Sequence, residues 1–219
     1  MTTDSGRRDA APKAREVLEF WLADSDLDPG TAKSRKDMWF GGSSEVDAEI
    51  ARRFAGLVDE VASGSCDDWF DHPAGRLAQI IVLDQFPRNL FRNTARAFAY
   101  DGKALELTRS LLDTGVIAAL GWISRVFALM PMQHSEDASV QEQSVEEFER
   151  LARQCPEEYR PLLEDNAGYA RLHRDIVARF GRFPHRNKAL GRQSTREEEE
   201  WLADGAPTFG QGGRSPTGA

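Results

Sequence analysis

The sequence is poor in the residues that form disulfide frameworks or local metal sites. Its only two cysteines, Cys66 and Cys155, fit no CxxC or zinc spacing, which excludes a disulfide framework and favours a reducing compartment. The four histidines stand far apart, and the sequence has neither a His-Glu-x-x-His motif nor a complete zinc-deaminase signature. We therefore expect no structural metal and no redox cofactor.

Positive charge is also scarce: 28 lysine and arginine residues face 36 aspartate and glutamate residues, and the net charge is −8. This balance argues against a protein that coats nucleic acid. The first residues contain no apolar stretch that resembles a secretory signal, and the longest nearly uncharged run, residues 115–132, is short for a bilayer span and contains Arg125. We expect a cytoplasmic protein that binds neither nucleic acid nor membrane, and the oligomeric state stays open.

Segments that alternate apolar and polar residues are absent, so strands are not expected. Apolar residues instead recur at three- and four-residue spacing, the period of an amphipathic helix. The ends, residues 1–11 and 205–219, consist mainly of small and polar residues and are expected to be disordered tails. We expect one all-α domain over residues 12–204, with a helix near residues 116–130 buried at its centre because it is apolar all round.

Two turns share a pattern that is present in both halves of the sequence. The segments are Phe86-Pro87-Arg88-Asn89 and Phe183-Pro184-His185-Arg186-Asn187. Proline interrupts a helix and asparagine suits the turn that follows, so helix-ending chemistry is one interpretation. The other interpretation is that both turns place arginine and asparagine around one cavity, with the second turn close to the first.

The stretch 179–196 carries six basic side chains and no acidic one, although the chain is acidic overall. Guanidinium groups bind carboxylates and phosphates at two points, so an anion site that includes Arg182 and Arg186 is one hypothesis. A solvated basic loop that pairs with the acidic segment 134–165 is the other.

Three histidines are candidates for proton transfer. His134 and Glu136 follow Pro131 at a predicted helix junction, where a carboxylate can set the tautomer and basicity of an imidazole; an exposed histidine in a helix cap is the alternative. His173 lies on an apolar helix face, where a core hydrogen bond is the alternative to catalysis. His185 belongs to the second Phe-Pro turn, and a metal site assembled from these four residues after folding stays open.

Asp84, Gln85 and Arg125 each lie on or beside a strongly apolar helix. A buried charge has to be paired, so an Asp84–Arg125 ion pair is the structural interpretation. Polar groups that converge inside a helical protein also build ligand pockets, which is the functional interpretation.

Three blocks of the sequence resemble the bacterial domain-of-unknown-function 924 family. The blocks are LDQFPRNLFR (83–92) with AFAYD (97–101), RVFALMPMQHSED (125–137) with Gln141, and FGRFPHRNKALGRQST (180–195). The resemblance extends from about residue 14 to residue 203. It implies an all-helical fold similar to the tetratricopeptide-repeat superfamily and no assigned activity. It also implies that the polar residues of the blocks act as one set, which adds Arg92 and Gln141 to the candidates.

We therefore expect a polar pocket with one of two functions. The first is an enzyme that acts on a small anionic metabolite by acid–base chemistry, and the second is a non-catalytic helical module that binds an acidic peptide or a protein. The expected catalytic residues are His134, Glu136, His173 and His185. The expected ligand-binding residues are Asp84, Gln85, Arg88, Asn89, Arg92, Arg125, Gln141, Arg182, Arg186 and Asn187.

Overall fold

The computed structural model describes residues 9–209, and within them it contains helices but no strand. The α-helices are α1 (Pro12–Leu22), α2 (Pro29–Ser34), α3 (Lys36–Phe40), α4 (Ser44–Ala62), α5 (Pro73–Ile80), α6 (Phe86–Leu90), α7 (Asp101–Asp113), α8 (Trp122–Gln133), α9 (Ala138–Gln154), α10 (Arg160–Phe180) and α11 (Arg196–Ala203). Short 3₁₀ turns lie at Asp67–Asp71, Ala95–Phe98, Val116–Ala119, Glu157–Tyr159 and Pro184–Arg186. The prediction of an all-α fold is confirmed.

The central apolar helix is α8, which begins later than its expected range because Val116–Ala119 forms a separate turn. Its start is fixed by the buried Asp26, whose Oδ1 accepts a 2.9 Å hydrogen bond from the Ser124 N–H, one of the N–H groups that a helix leaves unpaired at its start. Gly121 precedes the helix because a Cβ there would lie 2.2 Å from Cγ of Asp26. The helix also extends two residues past Pro131.

Helix α8 packs against α5, α7, α9 and α10, which places it at the middle of the bundle. Beside it, the ring of Trp21 lies 5.9 Å from that of Phe127 and 5.6 Å from that of Phe86. Phe86 also stacks on Phe54 at 5.0 Å. Large buried rings contribute strongly to core stability. They therefore anchor the first Phe-Pro turn, which begins at Phe86, in the core.

The two expected tails lie mostly outside the described residues, at 1–8 and 210–219. Some described residues of these tails pack on the fold: Ala10 is buried, Ala11 packs against the core, and the Phe209 ring stacks on His173 at 4.0 Å. A second, smaller apolar cluster around Ile176 and Phe183 includes Phe209 at its edge. The last described residue of the chain therefore reaches the region where the candidate residues converge.

Candidate active site

The site is built on an irregular turn in the helical run 73–90. Residues Ile81–Gln85 form a π-helical turn between α5 and α6, and the Phe86 N–H donates to the carbonyl of Ile81. Pro87 has no N–H, so a regular α-helical ladder cannot pass through it unchanged. The helix instead widens, as π-turns at functional sites often do, and restarts with Pro87 in the first turn of α6. The interruption expected at this segment is thus a wide turn followed by a new helix.

The wide turn buries Asp84 completely, next to His134 at the C-terminal end of α8. Oδ1 of Asp84 lies 2.7 Å from Nδ1 of His134, and Oδ2 accepts a 2.6 Å hydrogen bond from the side-chain amide of Gln85. Nη1 of Arg88, one helical turn later, lies 3.3 Å from Oδ1. The expected Asp84–Arg125 ion pair is therefore wrong, because Arg88 is the nearer guanidinium group on the same helical run.

Asp101, in the first turn of α7, joins the two Phe-Pro turns. Its Oδ1 lies 3.0 Å from Nη1 of Arg88, and its Oδ2 lies 3.2 Å from Nη1 of Arg186. Both guanidinium groups also lie over the Phe98 ring, at 5.7 and 4.6 Å from its centroid. The predicted proximity of the two turns is confirmed. The cavity cluster, as we name it, consists of Asp84, Arg88, Asp101, His134 and Arg186.

Burial and the charges of the cavity cluster together determine the protonation state of His134. Burial by itself raises the pKa of Asp84, but Arg88 and then His134 outweigh burial and hold that pKa below its usual range. Burial is the largest influence on His134 and, with Arg88, it lowers the pKa of the imidazole against the opposing effect of Asp84. An ionised Asp84 beside a neutral His134 requires Nδ1–H to donate to the carboxylate. Nε2 is then unprotonated and can accept a proton.

His173 and His185 lie close to His134 and are also neutral. The Nδ1 atom of His173 lies 2.7 Å from the carbonyl oxygen of Tyr169, and the His173 ring lies 6.1 Å from that of His134. Burial lowers the pKa of His173 to about 3, with a smaller contribution from His134. Burial lowers the pKa of His185 to about 2, with a smaller contribution from Arg186. Three uncharged imidazoles thus converge at one place.

A cavity of about 770 Å³ opens beside these rings, and its lining is mixed. The charged and polar lining residues are Lys36, Asp37, Gln85, Arg88, Asn89, Arg92, Gln133, His134, Glu164, Asp165, Asn166, His173, His185 and Arg186. The apolar and aromatic lining residues are Trp39, Phe40, Phe98, Met130, Tyr169, Leu172 and Phe209. Within the described chain, three buried nitrogen atoms of lining residues have no hydrogen-bond partner: Nε of Arg186, Nε2 of Gln133 and Nδ1 of His185. Seven further buried side-chain atoms of the described chain also lack a hydrogen-bond partner. At the cavity wall, a bound ligand can supply the missing partner.

A second set of polar residues is paired within the protein. Nη1 and Nη2 of Arg192 donate to Glu136 at 2.7 and 2.9 Å. Nε and Nη2 of Arg182 donate to Glu198 at 2.6 and 2.7 Å, and Asn187 donates to the same carboxylate at 3.2 Å. These five residues form what we call the C-terminal network. It ties the basic stretch 179–196 to the connection between α8 and α9.

Glu136 does not orient His134, and that expectation is wrong. Its carboxylate binds Arg192 and accepts a 2.8 Å hydrogen bond from the Phe183 N–H. Burial raises the pKa of Glu136, but Arg192 and the Phe183 N–H together outweigh burial and lower that pKa overall. The carboxylate that fixes His134 is Asp84, which lies 50 positions earlier in the chain. Side chains two positions apart around a turn point in different directions. Glu136 and His134 therefore contact different residues.

Residues 17–206 match the family described as bacterial protein of unknown function (DUF924). The chain belongs to this family. It is also similar to the solved structure of a protein of unknown function from Agrobacterium tumefaciens, with 33% sequence identity and a TM-score of 0.74; the match covers 90% of this chain and 99% of that chain. No curated protein matches the chain. The family resemblance seen in the sequence is confirmed.

In this DUF924 chain, most of the predicted site residues meet at the cavity. Eight of them line it: Gln85, Arg88, Asn89, Arg92, His134, His173, His185 and Arg186. Asp84 lies behind this lining, bonded to Gln85 and His134. Glu136, Arg182 and Asn187 belong to the C-terminal network instead.

Arg125 and Gln141 do not line the cavity. The Nε of Arg125 donates to the carbonyl of Leu120 at 2.9 Å, and its guanidinium group covers the Trp122 ring. The amide of Gln141 reaches from α9 and donates to the carbonyl of Gln133 at 2.8 Å. Both side chains therefore satisfy backbone carbonyls beside the ends of α8, which is a structural task.

Several residues of the site escaped the sequence analysis. In the sequence, Asp101 looks like an ordinary acidic residue in the first turn of a helix. Its role could have been inferred only from the fact that two buried arginines need a carboxylate partner. Asp47 accepts hydrogen bonds from Arg92 and Asn89 at 2.9 and 2.7 Å, and it also lies in the first turn of a helix. Phe209 lies in an expected tail, where no signal pointed to it.

Residues 9–209, which the structure describes, contain neither a metal-ligand group nor a membrane-spanning helix. No three histidine, cysteine, aspartate or glutamate side chains in this range are grouped in a way that could hold a metal ion. None of its helices combines the length and apolar character needed to cross a membrane.

Proposed function

We propose that the cavity is the active site of an enzyme that acts by acid–base chemistry on a small metabolite with an anionic group. The Asp84–His134 pair, whose imidazole lines the cavity, carries this proposal. A cavity of about 770 Å³ falls within the size range of small-molecule sites, roughly 300–1,000 Å³, and combines an apolar lining with a few polar groups.

His134 is the proposed general base. Asp84 holds Nδ1–H, so Nε2 accepts a proton from a substrate bound in the cavity. The imidazolium that forms is stabilised by the buried carboxylate of Asp84, which lies 2.7 Å away. The same imidazolium then returns the proton to the product, which is the usual cycle of a paired histidine.

Hydrogen bonds, rather than an excess of positive charge, hold the proposed anion. The two arginines and two aspartates of the cavity cluster balance each other when His134 is neutral. Nε of Arg186 and Nε2 of Gln133 are buried donors that still lack acceptors, and a carboxylate or phosphate oxygen would satisfy them. Leaving such donors unpaired costs free energy, so their pairing favours a ligand that carries acceptors.

A helical module that binds an acidic peptide is the second candidate. Its support is the exposure of two aromatic lining residues, since Phe40 is 52% and Tyr169 is 56% exposed. Exposed rings beside a cavity are surfaces that a peptide side chain can cover. The two candidates differ in one respect, because only the enzyme requires the basic Nε2 of His134.

The test is a thermal-shift screen of metabolite carboxylates and phosphates, followed by turnover assays on the compounds that bind. A ligand at 100 times its Kd should add about 2.7 kcal/mol to the unfolding free energy. The variant His134→Gln should keep binding and lose at least about 100-fold in turnover, the usual contribution of a general base. His72→Gln, which lies outside the cavity, is the matched control. Full turnover by His134→Gln, or binding of acidic peptides alone, would exclude the proposed enzyme.

A further inference from the structure

One wall of the cavity is a slot made of aromatic rings. The Phe209 ring stacks on His173 with a centroid distance of 4.0 Å and an interplanar angle of 28°, and it lies 5.3 Å from the His185 ring at 60°. The edge of Phe183 meets His173 at 5.5 Å and 79°. Offset-stacked and edge-to-face contacts of this kind are the arrangements that flat rings prefer.

The slot itself is built from fixed parts. His173 is buried, belongs to α10, and is held in orientation by the hydrogen bond between Nδ1 and the Tyr169 carbonyl. His173 and His185 are both uncharged, so their faces offer apolar contact rather than a positive charge. The slot therefore selects by flatness and not by charge.

Phe209 fills the slot from the edge of the second apolar cluster. Its ring is only half-buried. Its backbone has a φ of 49°, a left-handed conformation that residues other than glycine rarely adopt. Since Phe209 also lines the cavity, a ligand ring that replaced it would keep the stacking on His173. The side chain thus marks a place for a flat ring.

We infer that the ligand of this cavity carries a planar aromatic ring that stacks on His173 in the place of Phe209, with a carboxylate group directed to Arg186 and Gln133. The inference rests on the proposed function and narrows its substrate class to aromatic carboxylates. The ring satisfies the aromatic slot, and the carboxylate oxygens satisfy the two buried donors, Nε of Arg186 and Nε2 of Gln133.

Benzoate and cyclohexanecarboxylate are the probes, because they share size and charge and differ in the flatness of the ring. Their Kd values are measured by titration calorimetry at pH 7 with the full chain, with Phe209→Ala, and with Phe70→Ala as a control that removes an aromatic ring outside the cavity. Phe209→Ala should bind benzoate about fivefold more tightly than the unchanged chain does, and about fivefold more tightly than it binds cyclohexanecarboxylate. These factors correspond to the contribution of one stacked ring pair.

Three results would overturn the inference. If Phe209→Ala bound cyclohexanecarboxylate as tightly as benzoate, or more tightly, the ligand would need no aromatic ring. The anion site of the proposed enzyme would still be supported. Weaker binding of benzoate by Phe209→Ala would show that Phe209 is a wall of the site and not a stand-in for the ligand. Absence of benzoate binding in both proteins would exclude aromatic carboxylates, while His134-dependent turnover of another metabolite would still support the enzyme.

Discussion

The cavity cluster and the C-terminal network both pair arginines with carboxylates, and they differ in how completely their polar groups are paired. In the C-terminal network, Glu198 accepts from Arg182 and Asn187, while Arg192 donates to Glu136. No buried side-chain atom of that network lacks a partner within the described chain. In the cavity cluster, Nε of Arg186 lacks one, and Arg186 lines the cavity. Paired arginines hold a chain segment in place, whereas an unpaired donor beside a cavity indicates a ligand.

The largest expected effect comes from breaking the cavity cluster. Arg88→Met should lower the unfolding free energy by about 3–5 kcal/mol, because it removes the cation shared by the fully buried carboxylate of Asp84 and the partly buried carboxylate of Asp101. Urea denaturation measures the change. Arg92→Met is the matched control, since its partner Asp47 is partly exposed and its loss should cost less. Equal losses of unfolding free energy in the two variants would mean that the burial of the cavity cluster does not determine its contribution to stability.

As the pH falls, the buried histidines of the cavity should lower the unfolding free energy at a higher pH than the carboxylates of the C-terminal network do. In the folded protein the pKa values are about 3 for His173 and about 2 for His185, against an ordinary value of about 6.5, so below pH 6.5 the unfolded chain binds more protons. Stability therefore falls as the pH decreases, by about 2–3 kcal/mol between pH 6 and pH 5 for the two histidines together.

Urea midpoints at pH 7, 6 and 5 measure this slope. The double variant His173→Gln/His185→Gln should show a shallower slope over the same interval. The slope that remains comes from His134, whose pKa is also lowered in the folded protein. The network adds little, since the pKa of Glu198 is lowered to about 2 and that carboxylate stays ionised in the folded protein. An unchanged slope in the double variant would assign the acid sensitivity to other groups.

The smallest of these effects belongs to the C-terminal network. Arg192→Met should cost about 1–2 kcal/mol, because Arg192 and Glu136 are both partly exposed and water replaces part of the lost hydrogen bonding. Benzoate binding should not change, because neither residue lines the cavity. A loss as large as that of Arg88→Met would show that the network matters as much to the fold as the buried cluster does.

The sequence predicts the helices well, and it predicts the cavity only in part. The three- and four-residue periodicity follows from burial of one helix face, so the all-α fold could be read locally. The repeated Phe-Pro turns indicated two arginines near one place, and Asp101 joins Arg88 and Arg186 there.

The partner of His134 could not be read in this way. Glu136 is close in sequence, but Asp84 is the partner because a π-helical turn and the packing of α8 bring them together. Such a contact depends on tertiary packing, which no local spacing encodes. The predicted Asp84–Arg125 ion pair failed for a similar reason. A charged side chain in an apolar helix can donate to backbone carbonyls instead, as Arg125 does to the Leu120 carbonyl.

The π-helical turn at Ile81–Gln85 also gives one helical run two directions. A regular α-helix turns by about 100° per residue, and a turn that holds one more residue shifts the angular phase of everything after it. Helix α5 consequently packs on α1 and α7, whereas α6 packs on α4. Deleting one residue from the turn would restore the regular phase and rotate Arg88 and Asn89 together away from their aspartates. The number of residues in this turn is therefore as much a part of the site as its side chains.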